Sequence, residues 1–488
     1  MIKIMIVCKY KLLGVVMAFL LSGCNSWLDV EPYDKMTGEQ VYASEQGIQR
    51  KLNGLYLQMA SENLYAKELS CGVLDVLAQR YYISDSEHSY YKLSRYQYTD
   101  KDVKPFFESI WSSSWNLVSA CNELLENLPK HQDVLTKQQN SLVLGEALAV
   151  RTYVQFDLFR LFAPVYSADT ENKPAIPLYD KPTDVPAPIL TCGEVATRLL
   201  SDIDSAIYLL QQDPILTEGI VLDDEDFWAY RNVRMNYYAA WGLKARMCWY
   251  LGEEYRTEAY RIATSLLEGK DPKSGNAIAF ATTFEAVTKE QSVKDRVYFP
   301  EMLFCLHNLN RDQLYKNMFS QDLDTKVIFQ GLTSYLGALY NDNRDYRNRF
   351  WEQSSSDEKV KVFVRFYPQT INRTDKNPYT YQIQSLMRMS ELYLIAAATT
   401  RDESLKKEWL EKGRLNRGYQ NHNLDGLDVN DVLDKEWQRE FYGEGQYFFY
   451  LKRNQVEVLY GQDGNTKFNM MDYYQIPLPE SEVNNRYE

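Results

Sequence analysis

Histidine and reactive cysteine are scarce in this 488-residue chain. Its four histidines (His88, His131, His307 and His422) form no His-Glu-x-x-His pair and no local metal-ligand spacing. Cysteine is little richer. Setting aside Cys8 and Cys24, there remain Cys71, Cys121, Cys192, Cys248 and Cys305, scattered and never spaced Cys-x-x-Cys. That excludes a disulfide framework and a zinc module. Most of them sit in apolar runs, where a free cysteine packs as a small hydrophobe. No Gly-x-Ser-x-Gly elbow is present. Gly443-Glu444-Gly445 lacks the third glycine and the preceding strand of a phosphate loop. Positive charge is also short, with 54 Lys and Arg against 67 Asp and Glu and a net charge of −13. Nucleic-acid binding, which depends on neutralising phosphates, is therefore not expected. These absences point away from an enzyme, and no cofactor or metal is expected. A glycosidase carboxylate pair stays open only because acids are numerous.

Long apolar runs are missing too, with one exception near the start. Leu12–Leu21 is about half the ~20 residues needed to span a bilayer as a helix. Lys3, Lys9 and Lys11 precede it and Ser22-Gly23 close it, the charged, apolar, small-residue order of a signal peptide. Within "FLLSGCNSWLDVEP" the sequence Leu-Ser-Gly-Cys looks like a bacterial lipobox. Residues 1–23 are thus expected to be removed, leaving Cys24 as a lipidated N-terminus. Residues 24–39 carry little periodicity and read as a tether, at most about 55 Å long when extended.

Aromatic residues are what the chain has in abundance, with 38 Tyr, 20 Phe and 9 Trp. Most must fill the spaces between helices. Apolar spacing predicts helices over 40–61, 64–80, 104–128, 137–162, 192–211, 232–251, 253–268, 384–400, 403–416, 430–442 and near 446–456. Several come in close pairs, such as "MNYYAAWGLKARMCWYLG" followed by "EEYRTEAYRIATSLLE". The expected fold is mainly α: tetratricopeptide-like helix pairs in a right-handed superhelical scaffold, with long ordered loops and a few short strands. One domain is expected over 40–488, with a loop-rich region at about 269–382. Residues 163–188 hold six prolines and should run over the surface. Residues 142–162 are apolar on nearly every face, so that helix should be central. Arg151 and Asp157 then need partners, because an unpaired buried charge is expensive. Glu436, Arg439, Glu440, Glu444 and Arg453 are expected to form one ion-pair network around the Gly443–Gly445 bend.

Five segments, in order, resemble the SusD/RagB family of outer-membrane nutrient-binding lipoproteins. They are the lipobox with "WLDVEP" behind it, "GEALAVRTYVQFDLFRLFAPVYSADTENKPAIPLYD" (145–180), and the helix pair at 232–268. The other two are "RMSELYLIAAATT" (388–400) and "DKEWQREFYGEGQYFFYLKR" (434–453) with the later "IPLPESEVNN". The chain departs from the family pattern at "IAAATTRDES" and "GRLNRGYQNHNLDG", as a divergent member would. The resemblance implies a lipid-anchored protein on the extracellular face of the outer membrane. It would capture a glycan, or in some members a peptide, and deliver it to a SusC-like TonB-dependent β-barrel transporter. No covalent step is implied.

For the ligand, "RYYISDSEHSYYKLSRYQY" (80–98) concentrates six tyrosines. Aromatic faces stack on sugar rings while polar neighbours fix hydroxyls. Tyr81, Tyr82, Tyr90 and Tyr91 are the chosen candidates, with His88, Asp85 and Arg95 as hydrogen-bonding groups. Tyr96 and Tyr98 alternate like an edge strand and are assigned to packing. The loop "NDNRDYRNRFWE" adds Tyr346 and Trp351. Two rival readings stay open: a helical-repeat scaffold lipoprotein that binds only proteins, and a lipid-anchored glycoside hydrolase.

Overall fold

The computed structural model describes residues 41–278, 296–368, 382–419 and 423–484, with Arg486 and without Leu222 and Asp224. The expected signal peptide, Cys24 and the expected tether at 24–39 lie outside the described residues.

The first five helices are α1 (Glu45–Met59), α2 (Val73–Leu77), α3 (Tyr91–Ser94), α4 (Lys104–Asn127) and α5 (Lys137–Phe162). A short ladder of β1 (Pro174–Pro177) and β2 (Ile189–Thr191) precedes α6 (Cys192–Leu209). The pair α7 (Tyr237–Leu251) and α8 (Arg256–Leu267) follows. Next come β3 (Met302–His307), α9 (Arg311–Met318), β4 (Gln330–Leu332) and α10 (Thr333–Leu339). After these lie β5 (Trp351–Gln353), β6 (Val360–Phe363) and β7 (Ile383–Arg388). The second pair, α11 (Met389–Thr399) and α12 (Glu403–Leu415), leads to α13 (Val429–Glu440) and α14 (Gln446–Arg453). A hairpin of β8 (Val458–Tyr460) and β9 (Lys467–Asn469) and a last turn, α15 (Glu480–Asn484), complete the order.

Consecutive helices pack as pairs: α4 on α5, α5 on α6, α7 on α8 and α11 on α12, with α8 also against α11. This is the mainly helical, repeat-like architecture expected from the sequence. Helix α5 is the centre. A capping box starts it, Gln139 N–H donating to Thr136 Oγ1 (3.2 Å) and Thr136 N–H to Gln139 Oε1 (2.9 Å). Beyond Leu142 nearly every residue is buried. Its charges are paired as anticipated: Glu146 with Arg231 (2.5 Å), Arg151 with Asp202 (2.7 Å), and Asp157 with Arg160. From α7, the buried Arg246 holds Glu391 of α11 with two bonds of 2.6 Å. It also donates to Tyr153 Oη of α5 at 2.8 Å. One guanidinium thus joins three helices from distant parts of the chain.

The loop-rich region carries a three-stranded antiparallel sheet, β4-β6-β5, while β3 pairs with β7. That second ladder corrects the helix expected from residue 384: Ile383–Arg388 is a strand because it pairs with Met302–His307, and the helix begins at Met389. The helix expected over 64–80 is reduced to Val73–Leu77. Ahead of it the backbone bonds through turns, and the Glu68 carboxylate accepts the Val73 N–H (3.2 Å). Tyr96 and Tyr98 do pack in the core, but in no strand. Tyr96 follows α3 at φ 57° and donates its hydroxyl to Leu77 O (2.7 Å). All five described cysteines are free and buried. No helix among the described residues is long and apolar enough to cross a membrane.

Candidate functional site

The tyrosine-rich segment is anchored at its start by Arg80. This fully buried guanidinium lies 3.3 Å from the ring centroid of Tyr442 and donates to Gln438 O. The following residue, Tyr81, stacks on Phe329 at 4.4 Å with the ring planes 6° apart, and Phe319 meets it from 5.9 Å. Tyr81 Oη donates to Asp75 (3.2 Å). Asp75 also accepts the Gly443 N–H (2.7 Å) and the Gly445 N–H (3.2 Å), and burial pushes its carboxyl up to about 7. Gly445 has φ 72°, and a Cβ there would stand 2.8 Å from Leu69 O, so the bend requires glycine.

Further along, the Tyr82 N–H donates to Gln330 O (2.7 Å), laying the chain against the edge of β4. Asp85 accepts from Thr325 Oγ1 (2.9 Å), and Ser89 N–H reaches Lys326 O. His88 stacks on Phe329 (5.5 Å, 22°), and its Nδ1 accepts the Tyr90 N–H (3.1 Å). Burial lowers its pKa, so the ring is neutral at physiological pH. Tyr90 Oη donates to Glu68 (2.9 Å), while its ring meets Phe106 at 4.7 Å and Phe329 at 5.0 Å.

The structure therefore brings Tyr81, His88 and Tyr90 together, around Phe329. It does so inside the core, where their faces are covered: they are 4%, 4% and 7% exposed. Trp351 is likewise buried, packed against Phe363 (4.9 Å) and Tyr442 (4.9 Å). These four cannot offer a free face to a sugar ring in this conformation, because neighbouring rings already occupy it. Tyr82 and Tyr91 are partly exposed, with the Arg95 guanidinium 5.1 Å from the Tyr91 ring. Tyr346 is also partly exposed, but it faces elsewhere: its N–H donates to Arg417 O (3.0 Å) and its ring lies against Gly418. Phe329, the hub of the cluster, went unread in the sequence. Its only local signal is the apolar run "VIFQGL" leading into β4.

The structure also holds a buried charge cluster larger than the sequence suggested. Glu440 accepts from Arg347 (2.9 Å), Arg388 (2.6 Å) and Arg417 (2.6 Å). Arg417 also holds Glu301 (2.7 Å), and Arg347 also holds Asp345 (2.8 Å) and Glu436 (2.8 Å). Arg439 and Arg414 pair with Glu436, and Arg365 with Glu444. Arg453 is not a member; it donates instead to Trp249 O (3.1 Å), because α14 turns its last residue toward α7. Burial works against ionising Glu436 and Glu440, yet the guanidiniums prevail. They hold Glu436 at about 2 and Glu440 well below the ordinary carboxylate range. Carboxylates held ionised in this way cannot act as proton donors near neutral pH. The cluster braces the fold.

Comparison with known proteins agrees with this architecture. Residues 26–218 match the model of a SusD-like family described as "Starch-binding associating with outer membrane". A SusD-like protein of Formosa agariphila, P2, is 22% identical over 157 residues, which is 32% of this chain and 30% of that protein. The match thus spans under a third of that relative's length. Among solved structures, a SusD superfamily protein of Bacteroides thetaiotaomicron superposes with TM-score 0.69 at 18% identity, over 90% of this chain and 98% of its own. A putative sugar binding protein of Bacteroides vulgatus gives 0.68 at 20% identity, over 91% and 96%. Surface glycan-binding protein A of Bacteroides uniformis gives 0.63 at 16%, over 90% and 98%. The resemblance read from the sequence is borne out as a likeness: residues 26–218 match a SusD-like family model, and the chain shares the fold of SusD superfamily structures over about nine-tenths of its length.

Proposed function

We propose that this protein captures a nutrient glycan at the cell surface without chemically changing it, and passes it to a SusC-like TonB-dependent transporter. The observation that carries the reading is the family match at 26–218, joined to a fold shared over about 90% of the chain with proteins named for sugar and glycan binding. In this reading residues 1–23 are a cleaved leader, Cys24 bears the lipid, 24–39 is the tether and 40–488 is one domain on the extracellular face of the outer membrane. The contact surface is the rim of the tyrosine-rich segment. Tyr82 and Tyr91 supply ring faces, Asp85 and Arg95 supply hydrogen bonds, and Tyr81, His88 and Tyr90 hold the rim in place from beneath. Tyr346 offers a ring apart from this rim, and Trp351 supports the sheet.

Titration calorimetry on protein beginning at residue 25, against polysaccharides, their oligomers and peptides, tests this reading, with reducing-end release followed in parallel. Glycan binding without turnover supports it. Peptide binding assigns peptide capture instead, and turnover assigns a hydrolase. Co-purification with protein partners and no β-barrel assigns a protein-binding scaffold.

A further inference from the structure

The proline-rich loop at 163–188 has no part in the site above, yet three buried polar side chains hold its backbone. Asn122 Nδ2 donates to Tyr179 O (3.1 Å), Arg151 donates to Asp180 O (3.1 Å), and Gln155 Oε1 accepts the Tyr179 N–H (3.1 Å). Within the loop, Tyr179 Oη accepts the Ala187 N–H (3.2 Å) and Thr183 Oγ1 the Val185 N–H (3.1 Å). Pro182, Pro186 and Pro188 stiffen it further. The loop, α4 and Glu482 of α15 line an open recess of about 320 Å³. That volume falls within the range of small-ligand sites.

Two aromatic rings line the recess. Trp115 of α4 and Tyr179 of the loop meet at 4.9 Å with planes 73° apart, forming a corner, and both are partly exposed. Around them stand Asn116, Ser119 and Thr183, neutral groups offering donors and acceptors. The charged lining residues are Lys181, Asp184 and Glu482, the last paired with Arg486, so the recess has no excess of positive charge for an anion. Its loop N–H groups at Val185 and Ala187 are already bonded to side chains, which leaves no strand edge there for an extended peptide.

We propose that the recess formed by Trp115, Tyr179, Asn116, Ser119 and Thr183 is a second carbohydrate site, taking a neutral hexopyranose unit. One ring face stacks on the aromatic corner, and the amide and hydroxyls meet the sugar hydroxyls. The site extends the glycan reading to a surface separate from Tyr82 and Tyr91, and a preformed loop gives it little ordering entropy to lose on binding.

The test is fluorine NMR on full-length protein labelled with 5-fluorotryptophan, in which Trp115→Phe identifies the Trp115 resonance. Maltohexaose, cellohexaose, laminarihexaose, mannohexaose and hexa-alanine are the probes. At least one hexasaccharide is expected to shift that resonance saturably. Asn116→Ala and Ser119→Ala, both at exposed helix positions, should each weaken the response about fivefold, as expected for a lost hydrogen bond. Tyr82→Ala/Tyr91→Ala should leave it unchanged, so the two surfaces succeed or fail separately. A silent Trp115 with all four sugars overturns the proposal. So does a response to hexa-alanine alone, an unchanged affinity in both helix variants, or loss of the signal in the Tyr82/Tyr91 variant.

Discussion

Replacing Glu440 by glutamine keeps the shape of the side chain and removes one negative charge from the buried cluster. In the parent, that carboxylate accepts from Arg347, Arg388 and Arg417, with bonds of 2.6 to 2.9 Å. All four side chains are 6% exposed or less, so solvent cannot replace the lost charge. Removing one partner of a buried ion pair costs roughly 3–5 kcal/mol. Three guanidiniums share this carboxylate while Glu301, Glu436 and Glu444 still hold some of them, so the loss should fall near 3 kcal/mol. Urea unfolding followed by tryptophan fluorescence reads it as a lower midpoint with an unchanged slope. The pH dependence supplies a second check. Because the folded pKa of Glu440 is depressed, its contribution is fully present above the unfolded value and is lost as pH falls through the folded one. The gap between parent and Glu440→Gln should therefore be constant near pH 7 and narrow below about pH 4.5. A loss under about 1 kcal/mol at pH 7 would refute the view that the cluster's charges are mutually dependent.

Three further outcomes are expected. Tyr82→Ala and Tyr91→Ala should each weaken glycan affinity by about 0.5–1.5 kcal/mol in calorimetry without altering the unfolding midpoint; a lowered midpoint with intact binding would make them packing residues. Gly445→Ala should destabilise by more than about 1 kcal/mol, since it combines left-handed backbone with a clash at Leu69 O, and thermal unfolding against the parent measures this. Lys452 is fully buried, donates to Ala163 O (2.7 Å), and is pulled by burial down to about 7. Between about pH 7 and 10 the unfolded chain binds its proton and the folded chain does not. Stability from this group thus rises with pH by up to roughly 1.4 kcal/mol per unit. Lys452→Met should remove that rise, and identical pH profiles for parent and variant would contradict it.

Much of the helical frame was legible because its signals are local. Helix α5 occupies the range its apolar spacing and Thr136-x-x-Gln139 box imply, and α12 begins where Asp402 caps it. What failed was set by distant partners. Nothing between residues 383 and 388 announces a strand until Met302–His307 lies alongside. Within 61–72, turns replace helix because Glu68 spends its carboxylate on Val73 and Tyr90. The same holds for the site. Tyrosine density located a segment of consequence but could not say which rings face outward, since Phe329, some 240 residues away, covers three of them. The charge cluster was half visible: three of its acids lie at 436–444, while Glu301, Asp345 and most of the arginines that answer them arrive from other parts of the chain.

Arg246 carries a consequence for biosynthesis. When the ribosome has completed α7, its guanidinium has no counter-ion, because Glu391 lies 145 residues downstream. Asp75 has the Tyr81 hydroxyl close by in sequence, but the Gly443 amide that completes its bonding follows 368 residues later. A nascent chain that collapsed around α7 early would bury the Arg246 charge without its carboxylate, which the apolar interior resists. The polypeptide is therefore expected to close its core around α7 only after α11 has been made. Such late closure leaves it threadable, the state a chain must hold if it is to be translocated before it folds.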